Sequence, residues 1–259
     1  MPNCSGVANS IGRTAIELHS TSSITAATLV TAGELAVQGD PIDPAAPPPQ
    51  LTLSTQAMIG APGVADPYAG RLTHGYLTAA MPLTVCSATT IYSGNCAING
   101  RDGLTITTGQ TVDLLPGTYW IKGGDLTAES GGVLKCSACD NAAGAGVTII
   151  LIDGAVSIAP DATIELNAPN SGAFAGFLII QASAARSVIG GSGSTLSGLI
   201  YLPNASLRFH GSPTNTGPRC LLLVVGRVDV DAPSSLESAG CGSAGIANLP
   251  TIATVALAE

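Results

Sequence analysis

The sequence predicts an all-β protein, a right-handed parallel β-helix (β-solenoid) preceded by a β-rich capping segment. Three observations lead there. Short apolar runs recur through the second half of the chain at steps that fit stacked coils. Glycine (32) and proline (17) are abundant in the 259 residues, which calls for many turns and few long helices. Hydrophobic residues make up 46% of the chain but aromatics only 3%, so the interior is expected to be filled by Val, Ile, Leu and Ala, as suits a narrow space between close sheets.

Residues 1–40 form the β-rich segment. Its apolar pulses, Ala15-Ile16-Glu17-Leu18, Ser23-Ile24-Thr25, Thr28-Leu29-Val30 and Glu34-Leu35-Ala36-Val37, are short and separated by small residues. Gly33, Gly39 and the β-branched content argue against a helix here. Residues 41–83 are read as a connection. Pro41, Pro44, Pro47, Pro48 and Pro49 give it an extended or wrapped start, and Asp66-Pro67-Tyr68-Ala69-Gly70 marks a turn, with room for a short helix nearby.

The solenoid itself is assigned to residues 84–259, with rungs traceable to about 245. Its main runs are Thr118-Tyr119-Trp120-Ile121, Thr148-Ile149-Ile150-Leu151-Ile152, Phe177-Leu178-Ile179-Ile180, Leu199-Ile200-Tyr201-Leu202 and Leu221-Leu222-Leu223-Val224-Val225. Counted through Tyr119, Ile149, Leu178, Ile200 and Leu222, the steps are 30, 29, 22 and 22. A period of roughly 20 to 30 residues describes units too small to bury their own apolar face, which must therefore stack. Secondary runs such as Ala155-Val156-Ser157-Ile158 and Arg227-Val228-Asp229-Val230 give each rung two or three strands. The competing fold is an antiparallel sandwich or jelly roll. That fold would show tight hairpins and strict in/out alternation, whereas the turns here are long and Gly-rich and the runs continuous.

Composition excludes several functions. A net charge of −8, with nine basic residues scattered singly, offers no stripe to compensate phosphates, so nucleic-acid binding is not expected. The mean hydropathy is positive, yet no apolar run reaches the roughly 18 residues that span a bilayer. Few Lys and Glu and much Ser, Thr, Ala, Gly and Asn suit an extracellular protein, as do seven cysteines. Met1-Pro2-Asn3-Cys4 has neither the basic start nor the apolar stretch of a signal peptide. An exported protein is then expected to have its membrane or export segment upstream of these residues.

No catalytic, cofactor-binding or metal-binding residue is assigned. Cys136-x-x-Cys139 lacks the second ligand pair of a zinc site and the βαβ setting of a redox motif, and is read as a tight-loop disulfide or two thiols. Cys86 and Cys96 flank a loop, and Cys220 and Cys241 lie about one rung apart. Both pairs are expected to bridge, leaving Cys4 over. His19, His74 and His210 have no shared spacing and are read as surface or turn residues. The Gly-x-Ser-x-Gly elbow of serine hydrolases is missing from any strand-to-helix setting. Glycan chemistry on a β-helix needs clustered carboxylates, and the candidates are Asp153, Asp161, Glu165, Asp229 and Asp231. Asp229-Val230-Asp231 places two carboxylates on one strand face, the alternative glycan site; a solvated outer face explains them equally well. Ice binding by Thr105-Ile106-Thr107-Thr108 or Thr25 to Thr31 is a lesser alternative, since the threonines do not repeat at one position per rung.

Between residues 96 and 241 the chain resembles the C-terminal region of TadG-like proteins of the Tad/Flp pilus-assembly system. The segments that carry the resemblance are Leu114-Leu115-Pro116-Gly117-Thr118-Tyr119, Lys122-Gly123-Gly124-Asp125-Leu126, Gly146-Val147-Thr148-Ile149 and Ala162-Thr163-Ile164-Glu165-Leu166-Asn167-Ala168-Pro169-Asn170-Ser171-Gly172. Ala175-Gly176-Phe177-Leu178-Ile179, Gly198-Leu199-Ile200-Tyr201-Leu202-Pro203-Asn204-Ala205 and the pair Cys220 and Cys241 follow in order. The resemblance implies a bacterial envelope protein, tethered through an N-terminal anchor missing from this sequence, whose soluble part faces the periplasm or the exterior. The expected function is a non-catalytic structural or adhesive module. Its partners would be other pilus or envelope proteins, further copies of itself, or surface glycans. The Asp-x-Ser-x-Ser adhesion motif of some relatives is absent. A polysaccharide-binding or polysaccharide-cleaving β-helix is the alternative.

Overall fold

The structure is a computed structural model. It describes residues 5–231 and 235–237, apart from 9, 20, 27, 64–65, 67, 87–89, 141–142, 192 and 211–220. The described chain is nearly all β, with one helix, His74–Ala80. Almost every strand pairs in parallel with the strand one coil away, forming three ladders.

The first ladder runs Cys96–Asn99, Gly117–Lys122, Val147–Leu151, Phe177–Gln181, the first part of Thr195–Phe209 and the first part of Leu221–Val230. It then continues into the opening of the chain, through Ser5–Ala8 and Thr28–Thr31 to Met58–Ile59. The second ladder runs Leu104–Ile106, Leu126–Ala128, Val156–Ile158, Ser187–Ile189 and the remainders of the two long strands, then Ile16–Leu18 and Leu35–Val37. The third links Ile91–Tyr92, Thr111–Leu114, Val133–Lys135, Thr163–Asn167 and the start of Thr195–Phe209. Ser23–Ala26 lies in a separate sheet between Ser235–Glu237 and Leu51–Leu53. The first coils of the chain are thus seated on its last ones.

Inside the coils, Cys96, Tyr119, Ile149, Ile179, Ile200 and Leu223 form one column. The sequence reading placed Leu178 and Leu222 in it. Leu178 is the extra residue of an irregularity between Phe177 and Ile179, and it moves the register by one. Both Leu178 and Ile179 are buried.

The continuous apolar runs have a second cause: this sheet is covered on both faces. Ala97, Trp120, Ile150, Ile180 and Tyr201 point outward in register, joined by four successive pairings along the ladder. These residues belong to a second buried cluster with Leu77, Phe174, Phe177, Leu199 and Leu222, against which Tyr68, Leu72 and Met81 pack. The cover follows from topology. Met58–Ile59 ends the ladder on one side and Cys96–Asn99 on the other, so the chain must travel back over eight steps of about 4.8 Å, roughly 38 Å. The described residues between 60 and 85 make this return. They touch Tyr201 through Asp66, Phe177 through Tyr68, Asp153 through His74, and then bridge to Ala97 through Val85. The helix starts at Thr73, whose Oγ1 accepts from the Tyr76 N–H at 3.2 Å, and buries Leu77.

One corner requires glycine. A Cβ on Gly124 would lie 2.3 Å from Gly103 N, and one on Gly154 would lie 2.0 Å from Gly124 O, so successive coils touch backbone to backbone there. The ends of the stack are covered by short pieces. The Cys86–Cys96 disulfide holds residues 84–86 on the Cys96–Asn99 strand, and Asp40–Pro41 pairs antiparallel with Leu35–Val37.

Candidate functional site

Two features stand out against a chain with few charges and few rings: a charged patch where the first and last coils meet, and an aromatic groove on the covered sheet.

Along Leu221–Val230, Val228 and Val230 are buried while Arg227 and Asp229 point outward. Neighbouring strands set Arg208 on one side of Asp229 and Glu17 on the other. Asp229 Oδ1 is 3.0 Å from His19 Nε2, and its Oδ2 is 3.5 Å from Arg186 Nη2. Asp231 pairs with Arg208 and lies 2.9 Å from His210 Nδ1. Arg227 donates to Glu17 Oε2 at 2.7 Å. Three carboxylates therefore face three guanidiniums and two imidazoles. The two acids of the alternative glycan site are engaged with cations from neighbouring strands, an arrangement that ties coils together.

The other carboxylates do not converge on this pair. Asp153 meets His74 at 3.0 Å, Asp161 accepts from Ser130 at 3.3 Å, and Glu165 stands in register with Lys135 and Thr195 on the third ladder. Among the described residues no group of three or more His, Cys, Asp or Glu is placed to hold a metal ion. All three histidines pair with aspartates, a role their spacing in the sequence does not signal. Cys86–Cys96 and Cys136–Cys139 are disulfides; Cys4, Cys220 and Cys241 lie outside the described residues. Thr105, Thr127 and Ser157 do align across consecutive rungs, but the column passes to Val188.

The aromatic groove begins from Trp120, the only tryptophan. Its ring meets Phe174 edge-on at 6.0 Å, while Tyr68, Phe177 and Tyr201 form a second set of edge contacts at 4.9 to 6.0 Å. Tyr201 donates to Asp66 Oδ2 at 2.5 Å, and burial together with that carboxylate pushes its phenol well above the ordinary value. Beside Trp120 a groove of about 430 Å³ opens, with Pro116, Thr118, Pro169, Ser171 and Phe174 among its walls. Trp120 is 7% exposed, and its Nε1 is buried with no hydrogen-bond partner among the described residues. The sequence reading counted Trp120 only as part of an apolar run. The available signal was that scarce rings recur in runs which also fill the core, so some had to face outward.

Compared with protein-family models, curated proteins and solved structures, the chain matches none. What the geometry defines is a class: an all-β protein of stacked parallel ladders, disulfide-bonded, in which no described helix is long and apolar enough to cross a membrane.

Proposed function

We propose that this protein is a right-handed parallel β-solenoid acting outside the cytoplasm as a non-catalytic structural or adhesive module, in company with pilus or envelope proteins of a Tad/Flp-type system. The observation that carries the reading is the in-register stack itself: three ladders, with the opening coils seated on the closing ones and short pieces covering both ends. Such a stack supports a stiff body with most of its backbone hydrogen bonds directed along one axis. The pairing of Asp229 and Asp231 with Arg and His favours a mechanical use of those charges over acid-base work. The two disulfides support an oxidising compartment. The pilus association rests on the resemblance of residues 96–241.

Deleting the gene in a piliated host tests the function. Loss of surface attachment or of assembled pili, restored by the intact gene, is expected; a deletion strain with normal pili and normal attachment overturns the reading. Handedness is tested by a crystal structure, and a left-handed coil overturns that part alone.

A further inference from the structure

We infer that the groove beside Trp120 is a binding site for a neutral saccharide, an inference that deepens the adhesive reading and rests on it for its biological use. Three features of the groove converge.

The first is an unmet hydrogen bond. The indole N–H is a donor only, and in Trp120 it is buried with no partner among the described residues. Buried polar groups in folded proteins are ordinarily satisfied, so an orphaned donor on a residue that lines a cavity leaves an acceptor to be supplied.

The second is the absence of charge in the lining. Every described residue that lines the groove is uncharged. An acidic or basic ligand would lose its hydration there and gain no counter-ion, which selects a neutral occupant. Thr118 and Ser171 supply hydroxyls, and Asn95 supplies an amide whose Oδ1 already accepts from the Thr118 N–H at 3.2 Å. Hydroxyls that both donate and accept match the same property in sugar hydroxyls, whereas Pro116 and Pro169 offer apolar wall to a sugar's C–H face.

The third is size and position. A volume of about 430 Å³ lies within the roughly 300–1,000 Å³ of small-molecule sites. The groove lies on the outer side of the covered sheet, beside the Gly172–Phe174 wall. Gly172 and Gly176, both at positive φ (+91° and +82°), flank Phe174, the ring that meets Trp120 edge-on.

The single tryptophan makes the test direct. The intact protein is titrated with the methyl glycosides of glucose, galactose, mannose and N-acetylglucosamine and with their short oligomers, while the indole N–H cross-peak is followed by NMR. Glucuronic acid and a proline-rich peptide serve as the other arms. A saturable shift of the indole peak by at least one neutral sugar is expected. Trp120→Phe, which keeps a ring but deletes the donor, should weaken that sugar about tenfold by calorimetry, the scale of one lost hydrogen bond. Ser171→Ala, an exposed position, should weaken it severalfold without changing the thermal midpoint. No indole shift with any neutral sugar, or a shift with the acid or the peptide only, overturns the inference. So does an unchanged affinity in both variants. A null result here leaves the attachment phenotype of the deletion strain standing, so the two readings fail separately.

Discussion

Arg227 and Glu17, separated by 210 positions in the chain, meet at 2.7 Å across the boundary between its last long strand and its opening coils. His19 and Asp229, separated by the same 210 positions, meet beside them at 3.0 Å. Part-exposed ion pairs of this kind contribute about 0–1 kcal/mol each. A double-mutant cycle on Glu17→Gln and Arg227→Met should give a coupling in that range. Hydrogen exchange should quicken first in Ile16–Leu18 and Leu35–Val37, ahead of the coils on the other side of the boundary. Uniform quickening throughout the stack would show that the boundary is not a weak point.

Gly154→Ala should be severe. Its Cβ would lie 2.0 Å from Gly124 O, and the backbone of the adjacent coil cannot yield without breaking the ladder. A loss of about 3–5 kcal/mol in denaturant unfolding is expected, in the tail of single-substitution effects. Gly172→Ala is the control: its φ is +91° but nothing lies within 4 Å of the added atom, so only the backbone term of about 1 kcal/mol applies.

Leu77 is the one buried residue of the helix. Leu77→Ala should cost about 2–5 kcal/mol if the helix unfolds with the stack. A smaller loss accompanied by binding of an apolar dye would show instead that the return segment peels away on its own and uncovers Trp120, Phe177 and Tyr201.

Alkaline pH should weaken the protein. Burial raises the phenols of Tyr119, Tyr201 and Tyr68 above their ordinary value of 10.0, with Asp66 adding to the effect at the last two. A group whose folded pKa lies above its unfolded one contributes stability that is complete below the unfolded pKa and is lost as pH rises toward the folded one. These tyrosines should therefore leave the melting temperature unaffected up to about pH 10 and lower it above that. Tyr201→Phe should reduce the alkaline slope, and an unchanged slope would remove Tyr201 from the account.

Reducing the Cys86–Cys96 disulfide should cost about 2–4 kcal/mol or less, given its short loop. The more telling effect is at the edge. Residues 84–86 would no longer be held on Cys96–Asn99, and concentration-dependent association measured by light scattering should follow. Cys86→Ser should behave alike without reductant.

The repeat was legible because aliphatic runs mark each rung: Tyr119, Ile149 and Ile200 do share a column. The one-residue slips at Leu178 and Leu222 were not: the first comes from a bulge, which changes register without changing the apolar pattern, and the second falls inside an unbroken aliphatic run where Leu222 and Leu223 look alike. Residues 51–82 were opaque for a different reason. Leu51–Leu53 and Met58–Ile59 are short rungs, and the described residues after them follow the outside of the stack once, so no period constrains them, and their apolar residues Tyr68, Leu72 and Leu77 answer to rings in distant runs. Asp229 and Asp231 were noticed as a pair on one face, but their partners His19, Arg208 and His210 come from other coils, and only the stacking brings them close.

The seating of the opening coils on Leu221–Val230 also separates the order of synthesis from the order of completion. Leu29, Val30 and Leu35 are buried in the assembled stack, and the strand on which Ser5–Ala8 and Ile16–Leu18 rest is made some two hundred residues after them. Chains grow at about 5–20 residues per second, so this apolar segment waits on the order of ten seconds or more for its seat. During that interval its apolar residues lack the strand on which they are later seated.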